Sequence, residues 1–90
     1  MEFEWDPFKE ASNVAKHGVS FHDAAKVFDD DLATTFPDPD HSYREHRFIM
    51  IGQSASGDVL VVTFTERGDT IRIISARHAT KRERRFYEEG

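Results

Sequence analysis

The side chains available for chemistry in this sequence are His, Glu, Arg, Lys and Tyr, because its 90 residues include no Cys. Thiolate nucleophiles, thiolate zinc sites and disulfides are thereby excluded. The five histidines, His17, His22, His41, His46 and His78, show no HxxxH or HExxH spacing, so no metal site is expected. The five glycines stand singly, and neither a phosphate-cradling loop nor a nucleophile elbow is present. What remains suffices to cleave a ribose phosphodiester. In that reaction a general base takes the 2′-OH proton, cations stabilise the pentacovalent phosphorane, and an acid protonates the leaving 5′ oxygen. It needs no cofactor.

The net charge of −5 argues against a polyanionic partner until its distribution is considered. Residues 1–40 hold ten acids against three lysines, whereas residues 41–90 hold nine Lys and Arg against seven acids. Between Arg72 and Arg85 six cations face the single acid Glu83. That patch is large enough to hold a polyanion, although solvated surface charge is an equally ordinary reading of such a run. No apolar run approaches the roughly 18 residues of a membrane span, and the acidic start Met1-Glu2-Phe3-Glu4-Trp5 has the wrong charge for a signal peptide. These features fit a soluble protein of a reducing cytosol.

The elements that must carry these residues follow from local signals. Phe3–Trp5 is a short candidate edge strand, and Asp6-Pro7 reads as an N-cap and first helical residue. A helix over 7–17 is expected, with Phe8, Ala11, Val14 and Ala15 as its apolar face and Gly18 ending it. Ser20 and Asp23 resemble a capping box for a second helix over 20–28. Asp29-Asp30-Asp31 and the two prolines of Phe36-Pro37-Asp38-Pro39-Asp40 mark connecting chain, with one short strand near Thr34–Phe36. Arg47–Ile51, Val59–Phe64 and Thr70–Ser75 are β-rich runs joined by short turns, so an antiparallel meander is expected over about 45–77. Thr80 and Glu83 complete a capping box for a closing helix over 81–89, with Phe86 turned to the sheet. The expected fold is a single α+β domain over 1–90, an antiparallel meander with two N-terminal helices and one C-terminal helix.

Two placements stand out against stability alone. Lys81, Arg82, Arg84 and Arg85 crowd the start of the closing helix, where the helix dipole disfavours each cation by about 0.3–1 kcal/mol. A polyanion or an acidic partner surface would supply the missing negative charge; screening by solvent is the simpler alternative. Strict alternation along the third meander strand puts Arg77 on the same face as Ile71 and Ile73, and a charge there must pass the core edge or find an acid. Glu45 and Arg47 share the corresponding parity on the first meander strand. A cluster of Glu45, Arg47 and Arg77 is therefore plausible, either as a site or as a structural ion pair.

The words Trp5-Asp6, Asn13, Lys16-His17-Gly18-Val19-Ser20-Phe21, Ala24-Ala25, Val27-Phe28, Glu45-His46-Arg47, Gly52, Ile71-Arg72-Ile73-Ile74-Ser75-Ala76-Arg77, Ala79-Thr80, Glu83-Arg84 and Tyr87 span nearly the whole chain. In order and spacing they closely resemble the BrnT toxin family. The resemblance implies the toxin half of a bacterial type II toxin-antitoxin module, a RelE-like fold with helices on one side of an antiparallel sheet, and RNA cleavage that arrests translation. It also implies neutralisation by a DNA-binding, BrnA-like antitoxin, in a hetero-oligomer that meets DNA only through that partner.

Carried over residue by residue, the resemblance points to His17, Glu45, Arg47 and Arg77 for catalysis. Arg77 and Arg47 would hold phosphate and transition-state charge, with Glu45 or His17 as base. Lys16, Arg67, Arg72, Lys81, Arg82 and Tyr87 are the candidate RNA contacts. Lys16-His17-Gly18 has a second explanation, since a helix C-cap needs Gly and welcomes cations without any catalysis. The competing function is a non-catalytic binding module whose basic face docks an acidic partner.

Overall fold

Three short helix-capping signals and two tight turns organise the chain, and a computed structural model describes residues 1–39 and 46–90. Helix α1 runs Pro7–His17, with Asp6 accepting from the amides of Phe8 and Lys9 at its start and Gly18 at φ 70° closing it. Ser20 caps α2, Phe21–Lys26, through the Asp23 amide, and the chain then tightens into a 3₁₀ turn over Val27–Asp29. The strands are β1 (Glu2–Glu4), β2 (Thr34–Pro37), β3 (Arg47–Gln53), β4 (Val59–Arg67) and β5 (Thr70–His78). Helix α3, Lys81–Glu89, begins on the full capping box of Thr80 and Glu83.

The five strands form one sheet in the order β1-β5-β4-β3-β2. β2 to β5 pair antiparallel as the turns require, but β1 lies parallel to β5, with Glu2 opposite Thr70 and Glu4 opposite Arg72. The sheet is therefore mixed, which corrects the purely antiparallel expectation. A parallel neighbour needs a long crossover. Here everything from α1 to β4 supplies it.

One face of the sheet carries Leu60, Val62, Phe64, Ile71, Ile73 and Ala76, which pack under Phe21, Ala24 and Val27 from α2 and its 3₁₀ extension. Edge-to-face contacts link Phe3 to Phe28 and Phe28 to Phe64, and Phe64 stacks on Phe48. Four of the eight phenylalanines thus tie β1, β3, β4 and the 3₁₀ turn into one core. Gly52 permits the close approach of that turn to β3, since a Cβ there would stand 2.7 Å from the Ala33 Cβ and 2.8 Å from Val27 Cγ1.

Ile51 and Val61 have the opposite parity, face each other across β3 and β4, and are buried outside that cluster. Helix α3 packs on β3 and lies on this second face. Helices accordingly flank both faces, rather than one as the resemblance implied. Its inward residues are Glu83 and Tyr87, whereas Phe86, expected to face the sheet, is 52% exposed.

Two further expectations change for one reason. The register between β4 and β5 slips between Thr63 and Phe64, so that Ser75 pairs with Thr63 but Ile73 pairs with Phe64, and Ile74 is the extra residue of a β-bulge. The bulge inverts the alternation. Ala76 therefore joins Ile71 and Ile73 in the core, and Arg77 moves to the opposite face, against the parity expected for it.

The bulge lies where β1 has ended, so the outer edge of β5 has no strand beside it there among the described residues. Asn13 of α1 takes that place. Its Nδ2 donates to the Ala76 carbonyl at 2.7 Å and to the Val19 carbonyl at 2.9 Å, while Oδ1 accepts from the Ala76 amide at 3.2 Å. One carboxamide thus serves as a substitute peptide unit for an edge strand. The inward row of α1 is accordingly polar: Glu10 Oε2 accepts from the Phe21 amide at 2.9 Å, and Asn13 is buried. Phe8, Ala11, Val14 and Ala15, expected to face the core, are exposed instead.

Asn13→Ala removes three buried hydrogen bonds at once and leaves Ala76 without partners. We expect it to destabilise the fold by about 3 kcal/mol, read from chemical denaturation. A loss within about 0.5 kcal/mol of zero would show that water replaces the amide without penalty.

Candidate functional site

The sequence-predicted residues fall into two groups, one on α1 and one on the strands and α3. Lys16 and His17 stand at the end of α1 and line an open groove of about 350 Å³ between that helix and the bulge of β5. Helix periodicity builds its near wall from two adjacent rows, Phe8, Ser12 and Lys16 in one and Lys9, Asn13 and His17 in the other, each spaced i, i+4, i+8. Ile74 and Ser75 form the far wall.

The arginines lie on the second face. Arg47 is in register with Thr65, which is in register with Arg72, which is in register with Glu4, so these four cross four strands in one row. Glu4 forms an ion pair with Arg72. Arg77 is opposite Val61, four residues further along β4, about 13 Å at 3.3 Å per residue. Arg67 is at the β4–β5 turn, further still from Arg77. Lys81 and Arg82 are exposed on the first turn of α3, at the Arg77 end. Glu45, the remaining member of the expected cluster, lies outside the described residues.

The acid that meets Arg77 is Glu83. Its two carboxylate oxygens accept from the two terminal nitrogens of the guanidinium at 2.7 and 2.8 Å, a bidentate pair. The same carboxylate accepts from the Thr80 amide at 2.9 Å as part of the capping box. Sequence offered a signal for this contact, since a capping-box glutamate points back toward the strand that feeds its helix. Hydrogen bonding from Arg77 outweighs burial and, with the Thr80 amide, pulls the Glu83 carboxyl down to about 2. Arg77 is pushed above its ordinary value by the hydrogen bonds to Glu83, against the opposing effect of burial. The Arg77 side chain remains 40% exposed. It is thus held in place while still open to solvent.

Tyr87 is held in the same way at the other end of α3. Its hydroxyl donates to Asp30 Oδ2, which also accepts from the Gln53 amide, while Oδ1 accepts from the Leu32 amide. Burial opposes ionisation of Asp30, but these hydrogen bonds prevail and lower its carboxyl below the ordinary value. The bond to Asp30, reinforced by burial, raises the Tyr87 hydroxyl to about 12. Tyr87 is a proton donor with its donation already committed. Among the described residues, no group of three or more His, Asp or Glu side chains is arranged to hold a metal ion.

Comparison with known proteins decides the family. Residues 5–83 match the family model described as the ribonuclease toxin, BrnT, of type II toxin-antitoxin systems. The chain belongs to the BrnT family. A crystal structure of the Brucella abortus ribonuclease toxin, BrnT, has a similar fold at a TM-score of 0.71 and 28% identity, covering 90% of this chain and 99% of that one. A search among curated proteins gave no match. The family is one of ribonuclease toxins, and the α+β fold of three helices and a five-stranded mixed sheet is the one shared with the Brucella protein.

The Arg77–Glu83 pair has a pH signature. With its carboxyl near 2 in the fold and near the ordinary 4.5 when unfolded, Glu83 contributes stability above about pH 4.5 and loses it as pH falls toward 2. Glu83→Gln keeps the cap but loses the charge. We expect parent and variant to differ by about 1 kcal/mol at pH 6, a value reduced for the exposure of the pair, and the gap to shrink progressively below about pH 4.5 and to close only below about pH 2, measured by urea unfolding across pH. A gap that stays constant with pH would remove the charged pair as its cause.

Proposed function

We propose that this BrnT-family chain is a metal-independent endoribonuclease whose cleavage of RNA arrests translation and growth. The observation that carries the reading is the family match over residues 5–83, together with an arginine, Arg77, that is anchored by a carboxylate and still 40% exposed. A guanidinium fixed by one carboxylate loses little freedom on meeting a phosphate, and the N–H groups that Glu83 does not take remain for the equatorial oxygens of a phosphorane. In the proposed reaction His17 or Glu45 takes the 2′-OH proton, the 2′ oxygen attacks phosphorus, and the 5′ oxygen leaves with a proton from an acid. The products are a 2′,3′-cyclic phosphate and a 5′-hydroxyl. Arg47 and Arg72 share the face of Arg77 and are proposed to hold flanking phosphates, with Lys81, Arg82 and Arg67 as peripheral contacts.

A RelE-like architecture, one functional domain over 1–90, action in the cytoplasm and neutralisation by a DNA-binding, BrnA-like antitoxin complete the proposal. No helix among the described residues is long and apolar enough to cross a membrane. The antitoxin is proposed to dock on α3, where Phe86 is 52% exposed beside Arg82 and Arg85. The same surface favours a second reading, in which partner binding is the only activity.

Expression of the chain without its antitoxin is expected to slow bacterial growth, and Arg77→Ala to relieve it. On purified protein the variant should lose about 1 kcal/mol of stability, as for a partly exposed ion pair, and cleave RNA roughly a hundredfold more slowly, as when one transition-state donor is removed. Cleavage at the parent rate, or unfolding at much lower temperature, would remove Arg77 from the site. A parent protein that binds antitoxin but cuts no RNA would leave the binding-module reading.

A further inference from the structure

The groove between α1 and the bulge of β5 has a composition that structural needs do not explain. Phe8 is 84% exposed, although it is among the most apolar side chains in the chain and stands on the first turn of a well-capped helix. Nothing in the core uses it. Beside it on the groove side of α1 lie Lys9, Ser12 and Lys16, then His17. In a chain of net charge −5, whose first 40 residues are strongly acidic, the lining of this groove contains two lysines and a histidine and not one Asp or Glu. The nearest acid on the helix, Glu10, is turned away and engaged with the Phe21 amide. Across the groove Ser75 and Ile74 provide a hydroxyl and an apolar surface.

An exposed aromatic ring flanked by cations and hydroxyls, without acids, matches the chemistry of a single-stranded nucleic acid, which offers a base face for stacking and a phosphate for each ammonium. The volume of about 350 Å³ falls at the lower end of the range for small-ligand clefts. We propose that this groove is a nucleotide subsite, in which one unpaired RNA base stacks on Phe8 while Lys9 and Lys16 hold the phosphates on either side. The inference rests on the ribonuclease reading and adds to it a base-binding residue beside the edge of β5, where Ser75, in register with Thr63, shares the parity of Arg77, in register with Val61. Arg77 is two residues beyond Ser75 on the same strand. A strand of RNA that follows this edge meets the Phe8 groove and then Arg77.

The test uses the full chain and a fluorescently labelled, 2′-O-methylated RNA hexanucleotide, which binds but cannot be cut by attack of a 2′-OH. Phe8→Ala is expected to weaken binding roughly tenfold, the effect of losing one base stack, and Phe8→Trp to restore it. Leu32→Ala, also an exposed apolar residue but near the opposite edge of the sheet, should bind as the parent does. On cleavable RNA, Phe8→Ala should raise KM with little change in kcat. Unchanged RNA affinity in Phe8→Ala overturns the subsite even if the parent cleaves RNA, and if antitoxin binding weakens instead, the groove is a protein-docking face. A parent protein that neither binds nor cuts RNA overturns the subsite and the ribonuclease reading together.

Discussion

The hydrogen bonds between the Asn13 carboxamide and both backbone groups of Ala76, one donated and one accepted, are the constraint on which the rest of the molecule depends. β5 is an edge strand over its second half, and an unpaired edge is costly when buried and hazardous when exposed. A helix cannot pair with an edge through its own backbone, whose groups are already used. A single side-chain amide can, because it carries a donor and an acceptor in the geometry of a peptide unit. Meeting that requirement fixes the height and rotation of α1 against β5, and with them the width of the groove on its outer side.

The bulge at Ile74 is the second half of the same device. It turns Ala76, small enough to sit beneath α1, into the core and sends Arg77 to the other face, where Glu83 receives it. Without the bulge an arginine would point into a dry core and would have to be matched there at high cost. With it, Arg77 is tied by a carboxylate that already serves as a helix cap, so one acid supports both the start of α3 and the orientation of the guanidinium. Tyr87 and Asp30 perform the corresponding service at the far end of α3, on a turn that Gly52 lets approach the sheet. Polar ties at both ends, rather than a broad apolar stripe, position this helix.

Features set by neighbours in sequence were legible from sequence. Asp6, Gly18, Ser20 and Thr80 act within a few residues of themselves, and each helix limit they imply is matched to within two or three residues. The hairpin turns around Gly57 and Gly68 were legible for the same reason. What sequence did not show depends on distant chain. No local signal announces that Glu2–Glu4 will lie parallel to a strand some 70 residues later. Alternation predicts parity only until a bulge interrupts it, so it puts Arg77 on the wrong face and points to Glu45 rather than Glu83 as its acid. The apolar spacing of Phe8, Ala11 and Ala15 suggested a buried stripe, yet α1 turns Glu10 and Asn13 inward because the edge of β5 and the start of α2 require hydrogen-bonding groups more than they require apolar ones. Sequence names His17, Lys16, Arg47, Arg72 and Arg77, but only the fold shows Lys16 and His17 beside the bulge of β5 and the three arginines on one face of the sheet.

The edge of β5, with the groove beside Ile74 and Ser75 and with Arg77 two residues further along, is the proposed surface for RNA. Its most direct test is a titration of isotope-labelled protein with a non-cleavable RNA hexanucleotide, followed by nuclear magnetic resonance. The Asn13 side-chain amide, the Ser75 backbone amide and the Arg77 guanidinium signals are expected to shift together and to saturate at one RNA concentration. Shifts confined to α3, or to β2 and the turn at Gly68, with those three signals unmoved, would contradict it.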